Sequence, residues 1–279
     1  MSLYSDNEIA FFKQLLLDCE IRIDGRDKTQ IRKYDIKHNV INNCFSSLKM
    51  IYNNSKSEII FTIKGELVKE NLEDKNNKEE EKFNENNLKI IINIDSMAMT
   101  NRGPSAEEYK IIKNKMESLI NKLMISKIKT DSLIISNEPK LYWKLYLDIF
   151  VFDDLRISLF QLISIGIKNT LLSLKVPKMI IFKNEIDDKF EYDLRKNYED
   201  LTIEDSEEKI NFQVPNIYVF SIVNNNLYLD PCDEELIITP SSLYISEENK
   251  KILNIESIGD SVDPILYTQI GDIIKNINA

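Results

Sequence analysis

The feature that most constrains the fold is a long stretch, 141–153, in which apolar and polar positions alternate. One side carries six apolar residues: Leu141, Trp143, Leu145, Leu147, Ile149 and Val151. The other side mixes aromatic and charged residues, from Tyr142 to Phe152. Because successive side chains of a strand point to opposite faces, this pattern predicts a long strand with one face in the core. Its length indicates a central position in a sheet, with Trp143 packed in the core.

The surrounding segments predict both helices and strands. Ser5 with Glu8, and Ser105 with Glu108 in the first turn, are typical helix starts, and 157–174 and 262–277 show apolar residues at helical spacing. Strands are predicted at 32–40, 45–52, 57–63, 88–95, 176–182, 211–223, 227–230, 236–245 and 251–257. Strands in runs, with few helical crossovers, indicate an α+β fold with mixed sheets and packed helices. We expect one domain over 1–279.

Several classes of site are excluded by composition. The six glycines stand far apart, so no Rossmann or P-loop fingerprint can be assembled. The single histidine, His38, excludes a His-Glu-x-x-His zinc site, and we interpret it as a half-exposed strand residue. The three cysteines form no Cys-x-x-Cys pair and are read as packing thiols of a reducing compartment. We interpret Asp153-Asp154 and Asp187-Asp188 as solvated pairs, and we predict no cofactor and no metal.

The net charge of −10 is concentrated in two tracts of low complexity. Residues 66–86 hold eight acidic residues and four lysines, and residues 185–208 hold eleven acidic residues against three basic ones. We predict solvated insertions at about 66–87 and 185–208, leaving a body that is nearly neutral. Such a chain lacks the basic footprint of a free nucleic-acid binder. No membrane span and no signal peptide is recognised, so a soluble intracellular protein is expected.

Four landmarks in order resemble the RNase PH family. They are Ile21-Arg22-Ile23-Asp24-Gly25-Arg26, Asn101-Arg102-Gly103-Pro104-Ser105, the 143–153 strand with a following helix and Val176-Pro177-Lys178, and 227–235, which reads LYLDPCDEE. Within the family, the Asp-Pro-x-x-Glu-Glu pattern and the Arg-Gly-Pro turn are similar to those of the non-catalytic ring subunit of the RNA exosome. The resemblance implies a six-membered ring of RNase PH-like subunits around an RNA channel, with RNA-binding cap subunits and single-stranded RNA as partners. It also implies RNA processing and degradation in the nucleus, including the nucleolus, and in the cytoplasm, with no membrane association.

This sequence departs from the family pattern at the catalytic positions. The resemblance implies that active members of the family have a phosphorolytic site, with an Asp-x5-Asp pair and neighbouring arginines that hold the phosphate. Here Leu236 stands six residues after Asp230, and no two of the six arginines lie within three residues of each other. We therefore predict no catalytic residues. The alternatives are an active phosphate-dependent 3'-exoribonuclease and a stand-alone α+β domain that acts on a small molecule.

Three residues are predicted to contact RNA: Arg102, Lys110 and Lys113. Arg102 lies in the Gly-Pro turn that opens a helix, and the matching family position resembles an RNA-facing arginine. Lys110 and Lys113, with Lys115, could follow the phosphates, although lysines at helical spacing also form solvated faces. Asp24 and Arg26 are interpreted as residues that fix a turn.

Overall fold

The computed structural model describes residues 4–52, 56–70, 89–97, 105–137, 140–183, 190–194, 207–239 and 241–277. The helices are α1 (Asp6–Lys13), α2 (Ala106–Leu123), α3 (Phe160–Leu172), α4 (Asp233–Ile238) and α5 (Pro264–Ile277). The strands are β1 (Tyr34–His38), β2 (Ser46–Tyr52), β3 (Ser57–Glu70), β4 (Ile90–Ser96), β5 (Ile134–Asn137), β6 (Lys140–Val151), β7 (Lys175–Pro177), β8 (Met179–Lys183), β9 (Phe190–Leu194), β10 (Glu207–Lys209), β11 (Asn216–Val223), β12 (Asn226–Leu229), β13 (Ser241–Glu248) and β14 (Lys251–Gly259). The predicted α+β class is confirmed.

The larger sheet has six strands in the order β1-β2-β3-β6-β4, with β5 also paired to β6. The long strand β6 lies inside it, between β3 and β4, as its alternation predicts. It runs parallel to β4 and antiparallel to β3. Trp143 is buried in the core, where its ring meets Phe45 edge-on. The four-stranded sheet β12-β11-β13-β14 is antiparallel throughout.

Helix α3 lies between the two sheets. It contacts β2 and β3 on one side and β11 on the other. Gly166 permits this approach, because a Cβ atom there would lie 2.0 Å from the ring of Phe61 on β3. The amide of Gln161 donates to the carbonyl of Ile217 at 2.7 Å and accepts from the N–H of Val219 at 2.8 Å, which ties α3 to the β11 backbone. Helix α5 covers the opposite face of the four-stranded sheet with Leu266, Ile270 and Ile274.

The helix starts predicted at Ser5 and Ser105 are both capping boxes. The strand predicted at 236–245 is wrong in its first part, because residues 233–238 form α4 before β13 begins at Ser241. The reason is local. Three acidic residues fill the first turn of α4, and the carboxylate of Glu235 accepts from the N–H of Cys232 at 3.0 Å. His38 is exposed on β1, in agreement with its interpretation as a strand residue.

The boundaries of the two acidic tracts differ from the prediction. Residues 66–70 continue β3 and pair with β6, and residues 190–194 and 207–208 lie in β9 and β10. The other residues of both tracts, with Asp187-Asp188, lie outside the described residues. Across the described chain, the helices are too short or too polar to span a bilayer.

Candidate functional site

A pocket of about 730 Å³ is built from four separate segments. Its walls come from the turn at Asp24-Gly25-Arg26, the strands at Tyr52 and Ser57, the β6–α3 connection and the start of α4. The charged residues of its lining are Asp24, Arg26, Arg32, Lys33, Asp153, Asp154, Arg156, Asp233 and Glu234. We refer to it as the arginine pocket.

Asp230 anchors the wall of the arginine pocket. It is completely buried and has a positive φ of 53°, a left-handed conformation that is uncommon for residues other than glycine. Its carboxylate accepts from the backbone N–H of Arg32 at 2.7 Å and from the Arg32 guanidinium at 2.6 Å. Arg26 donates to the same carboxylate at 3.1 Å. Two arginines therefore neutralise one buried charge.

Arg22 and Glu235 form a second buried pair behind this wall. Nε and Nη2 of Arg22 donate to the two carboxylate oxygens at 2.7 Å each, and both side chains are almost wholly buried. Arg22 also donates to the carbonyls of Leu229 at 2.9 Å and Asp230 at 3.0 Å. Burial alone would lower the pKa of Arg22, but the bond to Glu235 raises it, so the guanidinium stays charged. The pair joins the N-terminal segment to the start of α4.

Arg156 is the third arginine of the pocket, and its side chain is partly exposed. Its guanidinium faces Asp154 at 3.4 Å and Asp233 at 3.5 Å. Burial raises the pKa of Asp233, against the lowering effects of Ser158 and Arg156. The interpretation of Asp153-Asp154 as a solvated pair is wrong for Asp154, whose side chain is only 10% exposed.

Tyrosine hydroxyls meet the remaining carboxylates at the rim. The hydroxyl of Tyr4 donates to Glu234 at 2.9 Å, and that of Tyr52 donates to Asp153 at 3.3 Å. Burial first, and then the adjacent carboxylate, raises the pKa of Tyr4, so it stays protonated. In the described chain, no three histidine, cysteine or acidic side chains are placed to hold a metal ion.

The arginines that stand apart in the sequence thus converge in space. Arg22 and Glu235 are 213 positions apart, and Arg32 and Asp230 are 198 apart, so no local spacing predicts either pair. Only two features of the sequence pointed to this pocket: the turn at Asp24–Arg26 and the acidic run that follows Asp230. The interpretation of Asp24 and Arg26 as turn residues agrees with the geometry, since the Arg26 side chain donates to Asp24 at 2.6 Å.

The residues predicted to contact RNA lie at and before the start of α2. Arg102 lies outside the described residues. Lys110 and Lys115 are exposed on α2. Lys113 differs, because its ammonium donates to Asp95 at 2.9 Å and to Asn93 at 3.0 Å on the adjacent strand β4. The hydrogen bond from Lys113 lowers the pKa of Asp95, and this pairing makes Lys113 a link between α2 and the sheet.

The chain is similar to known proteins in sequence and in structure. No protein-family model matches the chain. The chain is 25% identical over 252 residues to the exosome complex component RRP42 of Saccharomyces cerevisiae, covering 90% of this chain and 84% of the relative. It superposes on a chain of an archaeal exosome core with a TM-score of 0.63 and 17% identity, covering 96% of this chain and 92% of that one.

Two further solved structures share the architecture. A chain of the Archaeoglobus fulgidus exosome with RNA bound to the active site gives a TM-score of 0.64 at 18% identity, covering 96% of this chain and 93% of that one. The chain has an RNase PH-like fold. Rice (Oryza sativa) Rrp46 matches with a TM-score of 0.53 at 10% identity, over 91% of this chain and 93% of that one. The resemblance to RNase PH-like exosome subunits drawn from the four sequence landmarks is confirmed.

Proposed function

We propose that this RNase PH-like chain is a non-catalytic structural and RNA-channel subunit of an exosome core ring. The similarity to yeast RRP42, over most of both chains, supports the exosome assignment. The ring would contain five further RNase PH-like subunits and carry RNA-binding cap subunits. Its role would be to support 3'-to-5' RNA processing and degradation in the nucleus, including the nucleolus, and in the cytoplasm. We also propose that residues 1–279 form one domain.

The observation that carries the non-catalytic assignment is the pairing inside the arginine pocket. Phosphorolysis requires an arginine fork to hold the attacking phosphate, and a carboxylate to bind a metal ion or assist proton transfer. Arg26 and Arg32 donate to Asp230, and Arg156 lies between Asp154 and Asp233. A phosphate entering this pocket would compete with a protein carboxylate for each of these guanidinium groups. The arginines of the pocket are therefore already paired with carboxylates of the same chain.

RNA contact is assigned to the surface around the start of α2. Arg102 and Lys110 are the main candidates. Lys113 is expected to contribute less, because Asp95 already neutralises its ammonium. Since the body of the chain is nearly neutral, we expect RNA binding only in a ring whose other subunits supply most of the positive charge.

The catalytic question is tested by incubating the purified full chain with a single-stranded oligoribonucleotide, inorganic phosphate and magnesium. We expect no release of nucleoside diphosphates. Arg156→Ala serves as the matched variant, since this arginine is partly exposed and does not pair with the buried carboxylate of Asp230. Release that Arg156→Ala abolishes in a folded chain would establish the active phosphate-dependent exoribonuclease instead. Release that is equal in both proteins would indicate a contaminating nuclease.

A further inference from the structure

Helix α2 is anchored in the core over only part of its length. The buried side chains of α2 all lie in its second half and belong to the main core: Met116, Leu119, Ile120 and Leu123. Residues 106–115, its first half, contain no buried side chain. Lys110, one of the residues proposed to contact RNA, is exposed in this first half. Apolar burial therefore anchors the end of α2 that lies farther from the proposed RNA contact.

Tyr109 gives the first half of α2 a polar attachment to the large sheet. Its ring and the Ile112 side chain are half-buried and pack against the core. Its hydroxyl accepts from the N–H of Ser96 at 3.1 Å, at the end of strand β4. Because β4 is an edge strand of the described sheet, this hydroxyl takes the place that a carbonyl of a further strand would take. The helix thereby satisfies a backbone donor of the sheet.

The main chain that Tyr109 contacts is itself held from two directions. Strand β4 pairs with β6 in parallel register from Ile90 to Ser96. The Ser96 hydroxyl donates to the carbonyl of Asp153 at 2.6 Å, which ties the end of β4 to the connection between β6 and α3. Since the strand is fixed in this way, the hydrogen bond to Tyr109 restrains the helix.

Two other side chains on the same face of α2 make contacts of a different kind. Lys113 and Glu117 follow Tyr109 at intervals of four residues, so the three lie along one side of the helix. Lys113 donates to two side chains of β4, which can turn with it. Glu117 accepts from the main chain of β4, but it stands next to Met116, where the core already holds α2. Of these three side chains, only Tyr109 joins the first half of α2 to the main chain of the sheet.

Lys110 follows Tyr109 directly in the helix. Consecutive residues are about 100° apart around an α-helix, and the backbone fixes this angle. A rotation or lift of the first half of α2 would therefore carry the Lys110 ammonium with it. A charged group that is already held where its ligand needs it binds more strongly, because less conformational freedom is lost on association.

We infer that Tyr109 is a positioning residue for the proposed RNA contact: its hydrogen bond to Ser96 holds the first half of α2 in place, and so presents Lys110 to a phosphate of the RNA. Tyr109 acts through Lys110 and does not itself touch RNA. The inference rests on the proposed function, because the RNA contact at Lys110 belongs to it.

The experiment uses the full-length chain co-expressed with the other ring subunits of its source organism. Tyr109→Phe removes only the hydroxyl and keeps the ring. The matched control is Ile120→Val, which removes one methylene group from the core-anchored half of α2 and lowers stability without touching the Tyr109 bond. We expect Tyr109→Phe to weaken RNA binding in the ring by up to about threefold, the effect expected when Lys110 is removed outright. Ile120→Val should leave RNA affinity unchanged at a comparable loss of melting temperature.

A double variant separates positioning from a general loss of stability. Lys110→Ala removes the contact that Tyr109 is inferred to present. Tyr109→Phe with Lys110→Ala should therefore bind RNA better than the product of the two single effects, because no contact is left for the second change to misplace. Single effects that simply multiply would overturn the positioning role.

Amide hydrogen exchange on the free chain gives a readout that needs no RNA. In Tyr109→Phe, exchange should rise several-fold at Ser96 and over residues 109–113, and stay unchanged over residues 119–123. In Ile120→Val, the rise should fall on residues 119–123 instead. Unchanged exchange over residues 109–113 in Tyr109→Phe would mean that the hydroxyl does not hold the first half of α2, and the inference would be wrong.

The RNA measurements also separate this inference from the proposed function. If Tyr109→Phe binds RNA like the wild type while Lys110→Ala binds more weakly, the positioning role is wrong and the proposed RNA surface stands. If Tyr109→Phe and Ile120→Val weaken RNA binding equally, Tyr109 acts only through stability, and the positioning role is again wrong. If Lys110→Ala itself leaves affinity unchanged in an intact ring, the proposed contact at Lys110 fails, and the inference fails with it.

Discussion

The arginine pocket and the surface of α2 both bring positive charge together, but they use it in opposite ways. At the pocket wall, Arg26 and Arg32 are held by Asp230, and behind the wall Arg22 is held by Glu235; both carboxylates are fully buried. On α2, Lys110 and Lys115 project into solvent. A buried guanidinium must be paired, because desolvating an isolated charge is costly. An exposed lysine keeps its water shell and can exchange it for a phosphate. The comparison indicates that burial decides which basic residues support the fold and which stay available to a ligand such as the proposed RNA.

The largest expected effect tests the structural side of this comparison. Arg22→Ala leaves the carboxylate of Glu235 buried without its guanidinium, and should lower the free energy of unfolding by about 3–5 kcal/mol. Lys275→Ala, which removes an exposed pair with Asp272, should cost less than about 1 kcal/mol. Urea denaturation of the full chain measures both. If the two variants are equally stable, the buried pair does not hold the N-terminal segment to α4.

A double variant sharpens the same point. Arg22→Met with Glu235→Leu removes both charges and should recover part of the loss. Recovery should stay incomplete, because the carbonyls of Leu229 and Asp230 lose their donor as well. Full recovery would mean that the charge pairing, and not the carbonyl hydrogen bonds, accounts for the whole effect.

The second prediction concerns the RNA side. In the assembled ring, Arg102→Glu exchanges one phosphate contact for a repulsive charge and should weaken RNA binding on the order of tenfold, about 1.4 kcal/mol. The slope of log affinity against log salt should fall by about one. Lys13→Glu, a reversal on the exposed surface of α1, is the matched control. Binding isotherms at matched low salt give both values, and unchanged affinity in an intact ring would place Arg102 in solvent.

A smaller effect separates two lysines on one helix. Lys110→Ala should reduce RNA affinity in the ring two- to threefold and leave stability unchanged, because the side chain is exposed. Lys113→Ala should do the reverse, costing up to about 1 kcal/mol of stability through the lost Asp95 pair, with little change in affinity. The prediction fails if both variants change RNA affinity to the same extent, since pairing with Asp95 would then not decide the role of Lys113.

The smallest expected effect is a pH dependence at the turn. Burial opposes it, but Arg26 and Arg22 lower the pKa of Asp24 below its unfolded value of about 3.9. A depressed folded pKa adds stability above the unfolded pKa, and this stability is lost as the pH falls through the folded value. Asp24→Asn should therefore cost less than about 1 kcal/mol at pH 7, because the side chain is 31% exposed, and nothing in strong acid. Denaturation curves from neutral to acid pH should show the two proteins converging.

Much of the local structure followed from neighbouring residues. The helix starts at Ser5 and Ser105 and the long strand β6 depend on contacts within a few residues or on strict alternation, so they were predicted. The start of α4 was missed because Leu236, Ile237 and Ile238 are also typical of a strand, and the acidic first turn decided for a helix. The pairing of residues 66–70 with β6 was missed because their charged composition is typical of a loop.

The sequence by itself determined the α+β class, the positions of the main elements, the absence of a glycine-rich phosphate loop and the four landmarks that resemble the RNase PH family. The tertiary structure alone decided which charges meet. Arg22 finds Glu235 across 213 positions, and Arg32 finds Asp230 across 198, while Lys113 is drawn from the proposed RNA surface to Asp95. The physical reason is that Coulomb attraction and desolvation depend on distance and burial in space. Those quantities exist only after strands and helices from distant parts of the chain have packed together.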